Sequence, residues 1–296
     1  MAGAVWINGG FVQRDEARLS AFDAGLLHGV GLFETMLYVD HRVHRLDEHL
    51  HRLINSARSL GLVSSLRHEP LAQAVLDTAL RSTLDRARIR LTLTGGDLNL
   101  LESNRAAPAN PTILIVAQPA TPYPDEMFEK GVLATIADDR LNPLDRFAGH
   151  KTLNYWPRLR ALQEAAGKGA GETIFLQVTN HVASGAVSNL FIVIGSSLAT
   201  PIAHTEEEPG AVGSPVLPGI TRGNVIALAE GLGVGCAKRL LTVEEMLDAD
   251  EVFLTNSSWG VLPVTRLEGK TVGAGAPGQL TRDLLNHWRT DAGFHS

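Results

Sequence analysis

A two-domain α/β protein is what this sequence predicts, and three observations carry the expectation. The chain has 296 residues, a length that suits two domains or one large one. Apolar residues recur at both strand and helix spacing along its length. Gln118-Pro-Ala-Thr-Pro-Tyr-Pro124 then interrupts the pattern, because three prolines in six residues cannot continue a helix or a central strand. The expected division is a first domain over 1–118, a linker over 119–125 and a second, larger domain over 126–296.

The elements follow in order. Val5 to Val12 reads as a hairpin with Asn8-Gly9 as its turn. Leu32 to Val39 reads as a strand that returns over His41 to His44. Leu46, Leu50 and Leu53 fall at i, i+4 and i+7 and define one face of a helix. A second helix is expected around Pro70 to Arg86, then strands at Ala87–Leu93 and Thr112–Ala117. Beyond the linker the pattern predicts a strand at Val132–Ala137, a helix at Pro157–Ala166, and strands at Thr173–Gln177 and Asn189–Ile194. His204 to Gly213 is polar and acidic and reads as a surface loop. Thr221 to Glu230 reads as a helix stopped by Gly231 to Gly233. Thr242-Val-Glu-Glu245 is a capping box that opens a short helix, and Glu251 to Thr255 reads as a strand.

Composition narrows the function. The chain is 44% apolar and 20% charged, an ordinary globular balance with ample core. A net charge of -6 gives no electrostatic case for nucleic acid. Cys236 stands alone, which excludes an internal disulfide and fits a reducing, cytoplasmic setting. No apolar run is long enough to span a bilayer, and the N-terminus does not look like a signal peptide.

Several residues are candidates for chemistry. Lys151 follows Gly149 and precedes a helix signal, with Asn154 as candidate cap and Pro157 in the first turn. Most lysines are solvated surface charges, but one in a cleft can form a Schiff base with an aldehyde cofactor. Pro218-Gly-Ile220-Thr221 opens a helix, and free N–H groups at a helix start suit a phosphate as well as they suit plain capping. Arg52 sits late in the Leu46 helix. Its guanidinium can hold phosphate oxygens through two parallel hydrogen bonds, or simply flank the apolar stripe. His41, His44, His49 and His51 suggest a metal, but His49 and His51 are two apart and do not face one another on a helix. They are expected at the surface, and no metal is expected. His28 lies in a glycine-rich loop and is a candidate substrate-pocket residue.

Taken together, the motifs resemble those of the class IV aminotransferases, the fold-type IV pyridoxal-phosphate enzymes. The matching runs are Ala21-Phe-Asp-Ala-Gly-Leu-Leu-His28-Gly-Val-Gly-Leu-Phe-Glu34-Thr-Met36, Leu46-Asp-Glu-His-Leu-His-Arg52-Leu53, His150-Lys-Thr-Leu-Asn-Tyr155, Ser184-Gly-Ala-Val-Ser-Asn189-Leu-Phe191, Leu217-Pro-Gly-Ile-Thr-Arg222 and Leu254-Thr-Asn-Ser-Ser-Trp-Gly-Val-Leu-Pro-Val264. They occur in the family's order. The resemblance implies a small N-terminal α/β domain, a larger barrel-like C-terminal domain and pyridoxal 5'-phosphate between them. It implies Lys151 as the covalent anchor and acid/base, and Arg52, Ile220, Thr221 and Ser257 as phosphate contacts. Tyr155 would reach the phenolic oxygen, with Ser184 and Asn189 also on the cofactor. His28, Phe33, Arg90 and Ser258 would line the substrate pocket, for a small amino-acid-like substrate. A homodimer is implied as well.

The chain departs from the family at one place. The run usually reads Thr-Glu-Gly-x-x-Ser-Asn, and its glutamate keeps the cofactor's pyridine nitrogen protonated. Here Val182-Ala183-Ser184-Gly185 puts Ser184 in that position. A neutral hydroxyl cannot hold that positive charge so well, which weakens the electron sink that a full transamination leans on. The runs from Ser20 to Thr35, Ala87 to Thr92 and Thr255 to Ser257 look like aminodeoxychorismate lyases. The arginine-histidine carboxylate trap of D-amino-acid aminotransferases is missing from Gly95-Gly-Asp-Leu-Asn-Leu-Leu101. The first expectation is therefore lyase-like elimination giving 4-aminobenzoate and pyruvate. Transamination of branched-chain or other small amino acids is the alternative, supported by Arg90 and Tyr155. A non-catalytic binding protein is a minor one, opposed by the retention of Lys151, Arg52 and Thr221.

Overall fold

The computed structural model describes residues 3–63, 65–97 and 110–294. The chain divides into two units, one of residues 1–121 with 150–154 and one of residues 122–149 with 155–296. Part of the loop read for a missing carboxylate trap, 98–101, lies outside the described residues.

The first unit is built on β1 (Ala4–Ile7), β2 (Gly10–Val12), α1 (Ala24–His28), β3 (Gly31–Val39), β4 (Arg42–Val43), α2 (Leu46–Ser59), α3 (His68–Arg81), β5 (Arg86–Thr94) and β6 (Ile113–Pro119). Its six strands form one antiparallel sheet in the order β2-β1-β6-β5-β3-β4. Asn8 and Gly9 take φ of 45° and 103°, the left-handed pair that a two-residue hairpin turn needs, and Ile7 pairs with Gly10. Helix α2 buries Leu50, Leu53, Ile54 and Ala57 and packs on β3. Removing most of Leu50, which is fully buried, would cost about 2–5 kcal/mol. Helix α3 ends at Arg81 rather than near residue 86. Ser82 turns its hydroxyl onto the Ala79 carbonyl, Thr83 is left-handed, and Arg86 already belongs to β5.

The second unit carries α4 (Glu126–Glu129), β7 (Val132–Leu141), α5 (Trp156–Gly167), β8 (Glu172–Gln177), β9 (Val182–Gly185), β10 (Asn189–Ile194) and β11 (Ser197–Thr200). It continues through α6 (Ile220–Gly231), β12 (Cys236–Lys238), α7 (Val243–Leu247), β13 (Glu251–Asn256), β14 (Gly260–Leu267), β15 (Lys270–Thr271) and α8 (Gln279–Ala292). The strand order is β12-β11-β10-β13-β14-β7-β8-β9, with β15 on β14. This sheet curls until β9 lies against β10, as in a half-barrel. Strands β7 and β8 run parallel, so a crossover must join them, and α5 packs on both. The capping box on α7 is present, with Thr242 and Glu245 exchanging bonds. Gly260 has φ +77° and lies so close to the buried Trp288 ring that a Cβ would strike it. Among the described residues no helix is long and apolar enough to cross a membrane.

Candidate functional site

The segment His150–Asn154 belongs to the first unit and lies along β3. Phe33 N–H donates to the Lys151 carbonyl at 2.9 Å, and Leu153 N–H donates to the Gly31 carbonyl at 3.0 Å. His150 Nδ1 lies 2.9 Å from Ser56 Oγ on α2, which fixes the other side. Gly31 permits this closeness, because a Cβ there would sit 2.6 Å from the Leu153 side chain. Lys151 is thus held by backbone pairing. Its Nζ lies 4.5 Å from the centre of the Phe33 ring, and the Arg90 guanidinium carbon lies 3.8 Å from the same ring. Arg90 also donates to Thr92 Oγ1 at 3.3 Å. Phe33, Arg90 and Lys151 therefore form one group, an amine and a guanidinium flanking an aromatic face. His28 is exposed at the end of α1. Asn154 does not cap α5: Tyr155 is the N-cap residue and makes no side-chain cap bond.

Glu34 alternates with Phe33 and so faces the opposite side of β3, toward α2. It is 1% exposed. Arg52 Nε and Nη2 donate to its two oxygens at 2.8 and 2.6 Å, and His49 Nδ1 lies 2.7 Å from Oε2. Burial alone would raise the Glu34 carboxyl. The Arg52 charge and the bonds from His49 and Arg52 outweigh it and hold the carboxyl at about 2. Burial pushes His49 down from its ordinary value, against the pull of Glu34, and the Arg52 and Lys151 charges push the same way. A neutral His49 donating from Nδ1 to an ionised Glu34 satisfies both. The expectation that these histidines are surface residues is corrected here for two of them. His44 and His49 are buried; His49 is i−3 from Arg52 on the face of α2 that meets Glu34, and His44 follows β4 with its N–H on the Leu37 carbonyl.

In the second unit, α6 starts after Gly219 with no side chain capping it. Thr221 Oγ1 lies 3.3 Å from Ser257 Oγ, so two hydroxyls meet beside the amides of the first turn. The turn that carries Ser257 and Ser258 is shaped by Asn256, whose Oδ1 accepts from Ser258 N at 2.8 Å and Trp259 N at 3.1 Å. Asn189 spends its amide on the preceding loop, donating to the Leu217 carbonyl at 2.8 Å. A Cβ on Gly219 would collide with Asn189 Oδ1, so this cradle requires glycine. Open amides at a helix start with two converging hydroxyls are the donor set a phosphate dianion needs, and the residues fit such a group. Arg222, which follows, is not part of it. It is buried against Glu206, at 2.9 and 2.7 Å, and this pairing ties the acidic 204–213 loop to α6.

The end of β9 and the turn that follows hold the third group. Ser184 is 3% exposed, and its Oγ donates to the Gly185 carbonyl at 2.9 Å. Arg158 Nη1 donates to Ser184 Oγ, Gly185 O and Ala186 O at 3.3, 3.1 and 3.2 Å. Tyr155 Oη donates to Ala186 O at 3.4 Å. Below the turn, Glu172 is fully buried and accepts from Thr173 N, Ala186 N, Val187 N and Ser188 Oγ at 2.8–3.2 Å. Burial pushes the Glu172 carboxyl up despite those bonds. The sequence motifs give no cofactor-site role to Arg158, Glu172, Glu34 or His49.

A six-stranded antiparallel sheet in one unit, a curled half-barrel in the other and a cradle for a phosphate describe a fold-type IV pyridoxal-phosphate enzyme. The chain belongs to the family described as amino-transferase class IV, whose model matches residues 31–267. It is 31% identical over 293 residues to the branched-chain-amino-acid aminotransferase of Escherichia coli (strain K12), covering 96% of this chain and 91% of the relative. The crystal structure of 4-amino-4-deoxychorismate lyase from Pseudomonas aeruginosa superposes with a TM-score of 0.82 at 31% identity, over 97% of this chain and 98% of that one. The T.th. branched-chain amino acid aminotransferase with pyridoxamine 5'-phosphate gives 0.88 at 27% identity, over 100% and 96%. The protein is a pyridoxal-phosphate enzyme of class IV, an aminotransferase or a lyase.

Proposed function

We propose that the protein catalyses a lyase-type elimination on an aminodeoxychorismate-like substrate, giving 4-aminobenzoate and pyruvate. The observation that carries this reading is the pair Ser184–Arg158, with a hydroxyl and a cation in the register where the family has a carboxylate. Bound pyridoxal phosphate supplies a sink for the electron pair left when Cα loses its proton. Lys151 would anchor the cofactor and, freed by the substrate amine, would take the Cα proton at Nζ and pass it to the enolpyruvyl group as its C–O bond to the ring breaks, so that pyruvate leaves. Thr221, Ser257 and the Ile220 amide hold the phosphate, with Arg52 as a further grip. Arg90 beside Lys151 offers a guanidinium for the substrate carboxylate. Tyr155 serves the phenolic oxygen, and His28 and Ser258 border the substrate. With a weak sink, expulsion of a leaving group competes well against the longer course of a transamination.

Transamination of branched-chain or other small amino acids is the second reading, favoured by the 31% identity to the Escherichia coli enzyme. Purified protein is assayed with aminodeoxychorismate for 4-aminobenzoate, and separately with a panel of amino acids and keto acids. Elimination without transamination supports the first reading. Turnover of ordinary amino acids at about 1–1000 per second moves the function to the second. We also read the protein as a cytoplasmic homodimer. Phe22 at 74% exposure, with Leu26 and Leu27 beside it, supports self-association, and sedimentation as a monomer would refute it.

A further inference from the structure

Arg158 stands in the first turn of α5, where the partial positive charge of a helix start disfavours a cation. Its three oxygen partners are Ser184 Oγ and Gly185 O at the end of β9 and Ala186 O just after it. Its guanidinium carbon also lies 5.3 Å from the Phe175 ring centre and 6.0 Å from that of Tyr155. Arginine has only donors and stays charged at every working pH. Ser184 therefore accepts from Arg158, and its one hydroxyl proton, turned here onto the Gly185 carbonyl, reaches a ligand only by rotating off that carbonyl, which Arg158 still serves.

Among the described residues, the other charged side chains on β8, α5 and β7 are either engaged with other groups or exposed. Glu172 on β8 is occupied by three backbone N–H groups and Ser188. On α5, Arg160 and Glu164 pair with each other at 2.9 Å in solvent. On β7, Asp138, Asp139 and Arg140 are exposed, and Arg140 turns onto the carbonyls of residues 137–139.

We propose that Arg158, acting through Ser184, is a positioning residue that keeps the pyridine nitrogen of bound pyridoxal phosphate unprotonated. The inference rests on the reading that Ser184 takes the register of the family's glutamate. A protonated nitrogen needs an acceptor and gains from a nearby negative charge. Here it would meet a hydroxyl already engaged by a fixed cation. A neutral nitrogen offers a lone pair instead, and that accepts the one proton Ser184 can donate. Ser184 is thus a donor by consequence of Arg158, and the two residues act as one device.

The test uses the full-length protein loaded with 15N-labelled pyridoxal phosphate, observed by 15N NMR from about pH 6 to 9. The expected signal is that of a neutral pyridine across the range. Ser184→Glu is expected to move it to a pyridinium. Arg158→Gln is expected to raise the protonation midpoint by about one unit or more, tenfold in proton affinity, while Arg158→Lys stays close to the native protein. A pyridinium signal in the native protein at about pH 8 would overturn the proposal, as would an Arg158→Gln variant that titrates like the native one. Borohydride reduction separates the two levels. Cofactor fixed on Lys151 together with a pyridinium sinks this inference alone, whereas no cofactor on Lys151 sinks the underlying reading with it.

Discussion

Replacing Glu34 by glutamine removes a buried carboxylate that both Arg52 and His49 address. Glu34 is 1% exposed, and its carboxyl is held at about 2 against an ordinary 4.5. That depression corresponds to about 3 kcal/mol of folded-state preference for the ionised form. The group is depressed, so its contribution is fully present above about pH 4.5 and is lost as the pH falls from there toward 2. Glu34→Gln replaces the carboxylate that faces the largely buried Arg52 by a neutral amide, and about 3 kcal/mol of stability should go. The chain has two units, so a single unfolding free energy is a poor readout. Hydrogen-exchange mass spectrometry on peptides from β3 and α2 reads opening of this unit locally. After correction for intrinsic exchange, the wild type should lose on the order of a hundredfold in protection between pH 4.5 and 2. Glu34→Gln should begin with that loss at neutral pH and change little on acidification. Parallel acid profiles for the two proteins would refute the reasoning.

Other perturbations test the cofactor grips. Arg52→Ala should weaken pyridoxal-phosphate binding by about 1.5–3 kcal/mol in an equilibrium titration. Thr221→Val and Ser257→Ala should each cost about 1 kcal/mol of cofactor affinity. The double variant should cost something other than the sum, because the hydroxyls lie 3.3 Å apart, so an additive pair would argue against a shared ligand. Gly219→Ala drives a methyl into Asn189 Oδ1 and should lower both thermal stability and cofactor affinity, by about 1–3 kcal/mol of overpacking. A variant with native melting and native affinity would show that the loop before α6 yields freely.

What the sequence makes legible follows physical scale. The Asn8-Gly9 hairpin, the α2 stripe and the α7 capping box are local patterns, and each appears where its residues predict it. Strand β9 is four residues long and wholly buried, and nothing in its own pattern distinguishes it from a loop. β12 pairs with β11 some way back along the chain, and β14 also pairs with the distant β7, whereas β11 and β15 are short strands in local hairpins; α8 is missing from the sequence reading although its apolar residues lie on one face. The lone acidic Glu34 inside an apolar strand is a signal the sequence does carry, because a carboxylate there must have a buried cation. Arg158 gives a subtler one: a cation in a first helical turn contradicts the helix dipole and needs acceptors. Its partners are 26–28 residues away, so only the fold reveals them.

The central claim is that Lys151 carries the cofactor. Reducing the loaded protein with borohydride and mapping its peptides reads this directly, since the covalent link becomes permanent on whichever amine formed it. The account predicts a single pyridoxyl label on Lys151, the amine set beside Phe33 and Arg90. A label on Lys130 or Lys168, or no label at all, would contradict it.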